Sequence, residues 1–221
     1  MCGRFTLKTS RAVIAELLGV RKMPELEARY NIAPSQPVLA VRLEPESGER
    51  EGTLLKWGLI PSWAKEPGIG NSLANARAET VAEKPAFRSA FKKRRCLVAA
   101  DGFYEWGKGD GGKIPYYFQL KDGNPFAFAG LWERWEKGEA PVESCTLITT
   151  EANGVVGKIH DRMPVIVMPE HFNSWLDPQE QRPDRVKELL RPLADDLMVS
   201  HAVSKLVNNP RNERPECVRP V

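Results

Sequence analysis

The chain predicts a mostly antiparallel α+β fold, with strands curled into a barrel or sandwich and short helices at the periphery. Three observations carry this. Short apolar runs rich in Val, Phe, Tyr and Trp recur along most of the sequence. Turn-forming clusters separate them, as at Gly107-Lys108-Gly109-Asp110-Gly111-Gly112 and Lys121-Asp122-Gly123-Asn124. Helical periodicity is confined to a few brief stretches, too few for the alternating crossovers of a parallel sheet.

Taken in order, Thr9 or Ser10 caps a first helix whose apolar side is Val13, Ile14, Leu17 and Leu18, with Gly19 as its stop. Residues 37–43 and 53–59 read as strands joined through Glu44-Pro45-Glu46-Ser47-Gly48. An irregular stretch covers 61–73, a length that is usually functional or disordered. Residues 79–93 carry a helical pattern broken by Pro85. Four strands follow at 96–100, 103–106, 116–120 and 126–132. Residues 145–150 and 165–168 continue the sheet, and 198–203 add a late strand. Segments 170–176 and 185–190 read as surface helices. The stretch from about 207 to 221 is polar and Pro-rich. No repeat or low-complexity tract interrupts the pattern, so 1–221 reads as one domain.

Composition bounds the function. With 221 residues, 42% of them hydrophobic and 28% charged, the chain is large enough for a substantial single core. No apolar run approaches a membrane span or the core of a signal peptide, which points to a cytoplasmic protein. Cys2, Cys96, Cys145 and Cys217 form no C-x-x-C pair, and Cys96 and Cys145, inside apolar strand-like runs, read as buried free thiols rather than disulfides. A net charge of +3 does not by itself argue for nucleic acid. The basic run Arg88, Lys92, Lys93, Arg94 and Arg95 reads more readily as a solvated helix end than as a phosphate contact. His160, His171 and His201 are scattered without metal-ligand spacing, and the last two read as structural.

Four segments carry chemistry. Cys2 becomes an N-terminal cysteine if Met1 is removed. An α-amine of pKa ~7.7–8 and a thiol near ~8.5 on adjacent carbons then condense with aldehydes to a five-membered thiazolidine. Asn75-Ala76-Arg77-Ala78-Glu79-Thr80 closes the irregular stretch and reads as a helix lead, with Asn75 or Thr80 as cap and Glu79 as a first-turn acid. Asp101-Gly102-Phe103-Tyr104-Glu105-Trp106 places a carboxylate among three aromatics, with Phe103 and Glu105 on one strand face. Desolvation there suits Glu105 to proton transfer, whereas an edge strand would leave it in water. His160 stands just before a buried-looking strand.

These segments form an ordered set: Met1-Cys2-Gly3-Arg4-Phe5, Arg29-Tyr30-Asn31-Ile32-Ala33-Pro34, Trp57-Gly58-Leu59-Ile60-Pro61-Ser62-Trp63, the run from Asn75 to Thr80, Arg94-Arg95-Cys96-Leu97-Val98, the run from Asp101 to Trp106, and Ile159-His160-Asp161-Arg162-Met163-Pro164-Val165-Ile166. The set resembles the SOS-response-associated peptidase (SRAP) family of abasic-site processing proteins over essentially the whole chain. The resemblance implies removal of Met1 and a covalent thiazolidine cross-link between Cys2 and the ring-opened sugar of an abasic site. The implied partner is single-stranded DNA or a single-strand/duplex junction, met by a monomer in the cytoplasm or on the nucleoid.

By the same resemblance, Asn75 holds the terminus and the opened sugar, Glu105 moves protons, and His160 assists closure or its reversal. Arg77 and Arg162, with Arg4 as a lesser candidate, grip phosphates, and Pro34 and Trp63 lie against unstacked bases. No metal or other cofactor is called for. Ala64, Ala100 and Gly107 depart from the residues common in the family, and Ala64 takes the place of a second aromatic beside Trp63. Two alternatives stand beside this reading. One is a thiol peptidase built on Cys2, His160 and Asn75 that acts mainly on its own Met1, with lyase-type activity as a further expectation. The other is a non-covalent reader of modified or single-stranded DNA.

Overall fold

The computed structural model describes residues 2–44 and 47–221, so Met1 and the centre of the turn expected at 44–48 lie outside the described residues. Thirteen strands are formed among them: β1 Phe5–Leu7, β2 Arg29–Ile32, β3 Pro37–Leu43, β4 Arg50–Trp57, β5 Asn75–Arg77, β6 Arg95–Ala100, β7 Gly102–Gly107, β8 Ile114–Leu120, β9 Phe126–Trp135, β10 Val142–Glu151, β11 Arg162–Pro164, β12 Ile166–Val167 and β13 Met198–Ala202. The α-helices are α1 Arg11–Leu18, α2 Arg88–Lys93, α3 Phe172–Leu176 and α4 Pro183–Lys187.

The strands divide into two sheets. One is fully antiparallel, in the order β13-β8-β7-β1-β2. In the other, β4-β3-β6-β9-β10 closes on itself, because β10 pairs with β9 along one edge and in parallel with β4 along the other. The result is a five-stranded barrel, extended by β5, β11 and β12. The α+β class expected from the sequence is correct.

The main core lies between the barrel and the inner face of the antiparallel sheet. Phe5 meets Trp57 and Phe128 edge-on at 5.1 and 5.6 Å, and Phe103 stacks on Phe118 at 5.1 Å. The outer face of that sheet carries Tyr104 and Tyr117, covered by Val203, Val207 and Cys217 of the C-terminal segment. Asn31 fastens this segment: its Nδ2 donates to the carbonyls of Val207 (3.2 Å), Asn209 (3.0 Å) and Asn212 (3.0 Å).

Several local expectations change in the structure. Ser10 precedes α1 without a side-chain cap, and the Thr9 hydroxyl donates to Asp101 instead. Of the four apolar residues expected on one side of α1, Ile14 and Leu18 are buried and Val13 is largely exposed. Gly19 does stop the helix, at φ +62, with Val20 N–H closing onto Ala15 O at 3.0 Å. The helix expected over 79–93 is turns as far as Phe87, and only α2 is helical. The basic run there is not simply a solvated helix end. Arg95 is buried, and its guanidinium donates to the carbonyls of Phe91, Lys92, Trp175, Asp177 and Glu180, tying α2 to the segment after α3. Cys96 and Cys145 are buried and free, as expected, and so are Cys2 and Cys217. Among the described residues no helix is long and apolar enough to cross a membrane.

Candidate active site

Of the four residues singled out for chemistry, Glu105 lies on the antiparallel sheet and Asn75 on the barrel's extension, while Cys2 precedes β1 and His160 precedes β11. Pairing of β1 with β7 aligns Phe5 with Phe103 and Thr6 with Gly102, and Tyr104 N–H donates to Arg4 O at 2.9 Å. Carried two residues further, this register runs Gly3 and Cys2 past Glu105 and Trp106. The far end of β1 is pinned by the buried Asp101 carboxylate. It accepts from Thr6 Oγ1 (2.5 Å), Lys8 N (2.6 Å), Thr9 N (2.8 Å) and Thr9 Oγ1 (2.9 Å).

Asn75 reaches Cys2 from the barrel side. The run from Asn75 to Arg77 is a strand rather than the expected helix lead, because it pairs in parallel with β10 through Leu147, Ile148 and Thr149. Trp57 Nε1 and Leu147 N both donate to Ala74 O, at 2.8 and 3.0 Å, fixing the chain just before it. From that footing Asn75 Nδ2 donates to Cys2 O at 2.7 Å. Its buried Oδ1 has no hydrogen-bond partner among the described residues, leaving an acceptor inside the site.

Glu105 is not on an edge strand: β7 lies between β1 and β8, and the side chain is 4% exposed. Burial pushes its carboxyl above the usual range, and the charge of His160 is among those that pull the other way. Cys2 is wholly buried, and burial, followed by the Glu105 charge, pushes its thiol well above the ordinary value. Enclosed in this way, Cys2 is a thiol rather than a thiolate, beside a carboxyl inclined to keep its proton.

His160 follows a 3-10 turn at Val156–Lys158, with its backbone N–H donating to Val156 O at 2.9 Å. Asn153 secures that turn by accepting Val156 N–H at 2.9 Å and donating to Leu193 O at 2.9 Å. His160 Nδ1 lies 2.9 Å from Arg162 N, 3.1 Å from Asp161 Oδ1 and 3.3 Å from Arg162 O, so the backbone and carboxylate of the next two residues orient the ring. Among the described residues no three His, Cys, Asp or Glu side chains cluster as a metal site.

Two arginines flank this group. Thr149 of β10 pairs with Arg77 of β5 on one side and with β11 on the other. Arg77 is exposed; its carbonyl accepts Thr80 N–H at 3.1 Å, and its side chain makes no hydrogen bond or ion pair among the described residues. Arg162 donates through Nη1 and Nη2 to Glu79 at 2.6 and 3.0 Å, and through Nη2 to Thr149 O at 2.6 Å. Sequence reasoning passed over Thr149 and placed Glu79 in a helix. The two partners of the ion pair stand too far apart in the chain for local pattern to join them. Arg4 points elsewhere. Its guanidinium donates to Asn31 Oδ1 (2.6 Å) and Val207 O (2.7 Å) and lies over the Trp106 ring, on the side covered by the C-terminal segment.

Pro34 and Trp63 sit on neighbouring loops. Pro34 occupies a turn closed by Gln36 N–H on Ala33 O at 3.3 Å, with Ser35 at φ +73, where glycine is the usual choice. Gly58 sends the chain from β4 toward Trp63 at φ +132, and a Cβ there would lie 2.6 Å from Gly70 O. Trp63 is 53% exposed on a loop held by Trp135 Nε1 on Ala64 O (2.8 Å) and Lys137 Nζ on Trp63 O (2.9 Å). Ala64 beside it is buried, and Trp63 is the exposed ring of this loop among the described residues.

A buried thiol, a desolvated carboxyl, a histidine and an amide thus adjoin one another, with Arg77 and the Arg162–Glu79 pair at their border. The sequence model of the SOS response associated peptidase (SRAP) family matches residues 1–210, and the chain belongs to that family. It is 46% identical over 223 residues, 99% of either chain, to "Abasic site processing protein YoqW" of Bacillus subtilis (strain 168). To "Abasic site processing protein HMCES" of Gallus gallus it is 34% identical, over 100% of this chain and 78% of that one. Among solved structures, a protein from Bacteroides thetaiotaomicron superposes with a TM-score of 0.88 at 28% identity, covering 100% of both chains.

Proposed function

We propose that this protein processes abasic sites in DNA by trapping them on Cys2. Removal of Met1 frees an amine on the residue whose carbonyl Asn75 holds. The amine adds to the C1′ aldehyde of the ring-opened sugar, the carbinolamine loses water to give an imine, and the Cys2 thiol adds to the imine carbon. The product is a thiazolidine, and one water leaves in all. Glu105, inclined to hold a proton, is suited to protonate the departing hydroxyl and to receive the thiol proton. His160 assists closure of the thiazolidine or its reversal. The unsatisfied Asn75 Oδ1 offers an acceptor to the amine or to a sugar hydroxyl.

Arg77 and Arg162 are proposed as phosphate ligands, and Pro34 and Trp63 as contacts for unstacked bases of single-stranded or junction DNA. An absent base lowers the cost of turning the nucleotide out of the stack, which favours the lesion over intact DNA. The observation that carries the reading is the 2.7 Å hydrogen bond from Asn75 to Cys2 O, made beside Glu105, in a chain whose relatives are named abasic site processing proteins.

The test is incubation of the purified protein with a single-stranded oligonucleotide bearing one abasic site, analysed on a denaturing gel. Intact DNA and Cys2→Ala run as controls, with mass spectrometry of the N-terminus. A heat-resistant band that needs both the lesion and Cys2 is expected. Its absence from protein shown to lack Met1 would leave self-cleavage by a thiol peptidase or non-covalent reading as the function.

A further inference from the structure

Arg162 is already occupied by an anion of the protein. Glu79 takes its Nη1 and Nη2 at 2.6 and 3.0 Å, the two-bond arrangement that arginine also offers to phosphate. Thr149 O takes a further hydrogen of Nη2 at 2.6 Å, and the buried Nε has no partner among the described residues. The guanidinium therefore has no free two-donor edge. Exposure is unequal in the pair: the Arg162 side chain is 14% exposed and the Glu79 side chain 52%. The arginine is fixed, and the carboxylate is the partner able to leave for water.

We propose that Glu79 is a built-in competitor for DNA: its carboxylate fills the edge of Arg162 in the free protein, and a backbone phosphate displaces it on binding. This rests on the reading of Arg162 as a phosphate ligand. The exchange replaces one charge-assisted pair by another, so Arg162 adds less to the affinity for DNA in general than an unpaired arginine would. Arg77, without such a partner, supplies the unconditional attraction on the other flank. Intact DNA, which gains nothing at Cys2, is held weakly and released readily; the competition weakens both DNAs alike, and the difference between them rests on capture at Cys2. Arg77 and Arg162 are the cations acting on the Glu79 carboxylate, and Lys187 of α4 approaches its backbone carbonyl at 3.4 Å. Arg162 holds that carboxyl below the usual range. Protonation therefore opens the edge only in acid, and the competitor is in place at neutral pH.

The experiment measures binding of the full chain to single-stranded DNA by fluorescence anisotropy between 50 and 200 mM NaCl. The probes are an undamaged oligonucleotide and one carrying a tetrahydrofuran abasic analogue that cannot form an aldehyde. Glu79→Gln is expected to tighten both about three- to tenfold at low salt. It should also steepen log K against log salt by about one phosphate's worth, ~0.7. In an Arg162→Gln background the same substitution should change binding less than half as much, since there is no edge left to free. Glu79→Asp, which keeps the charge, should stay near the parent affinity. Weaker binding or an unchanged slope in a folded Glu79→Gln protein would make Glu79 a brace and overturn the proposal. An Arg162→Gln protein with unaltered affinity and slope would also overturn it, while covalent capture in that same variant would leave the function assigned to Cys2 standing.

Discussion

Asp101→Ala tests how firmly the strand that carries Cys2 must be held. The substitution strips Lys8 N–H and Thr9 N–H of carboxylate acceptors at 2.6 and 2.8 Å. Thr6 Oγ1 keeps Tyr117 Oη at 2.9 Å and Gly102 O at 3.3 Å as alternatives. Hydrogen bonds to a charged group contribute ~1.5–3 kcal/mol each, so the two amides account for ~3–6 kcal/mol. Removing a buried charge returns part of its desolvation cost, which brings the expected loss to about 3 kcal/mol. In a chain of this size each kcal/mol moves Tm by ~2–4 °C, giving a fall of about 6–12 °C at pH 7 by calorimetry. Asp101→Asn keeps one acceptor but turns amide hydrogens toward the two N–H groups, and should lose at least half as much. The rate of thiazolidine formation, measured well below either Tm, should also drop as β1 loosens. A Tm within 3 °C of the parent, or an unaltered capture rate in the destabilised protein, would refute the idea that Asp101 sets the position of β1.

Other expectations follow from the same geometry. Cys2→Ser, provided Met1 is removed, should form an imine with abasic DNA that borohydride traps but no heat-stable adduct; a stable adduct would sink the thiazolidine mechanism. Because the folded-state carboxyl of Glu105 is raised, the native protein holds that proton more tightly than the unfolded chain, and stability is lost as pH rises from the ordinary value of ~4.3 through the folded one. Glu105→Gln lacks this loss, so its Tm relative to the parent should climb over that window and then level; a difference flat from pH 4 to 8 would contradict the burial effect. The same variant should slow capture by ~10²-fold or more, measured by quenched-gel kinetics. Asn31→Ala removes the donor shared by three carbonyls and one partner of Arg4, so limited proteolysis should cut within 205–221 before any other region.

The long elements were legible because their signals are local. Residues 37–43 form β3 with the expected bounds, and the alternation through Phe103, Tyr104, Glu105 and Trp106 put Glu105 on the face of Phe103, which the structure buries. What escaped was short or depended on distant partners. β1, β5 and β11 have three residues each, too few to show a period, and β5 exists because β10 offers it an edge. Arg95 looked like one more charge in a basic run, and only the return of 175–180 shows its carbonyl partners. The residues gathered around Cys2 were named from motifs, yet their meeting there could not be read from any one of them.

The barrel's closure has a consequence for synthesis. β4 is complete at Trp57, but the strand that seals it against β9 begins only at Val142. At ~5–20 residues per second, several seconds pass on the ribosome with β4 unsealed, and β9 too lacks its partner when it first emerges. Unpaired edges of that kind invite pairing with other chains. A nascent chain arrested near residue 140 is thus the form of this protein most in need of a chaperone, and a few residues of β10 end that exposure for both strands at once.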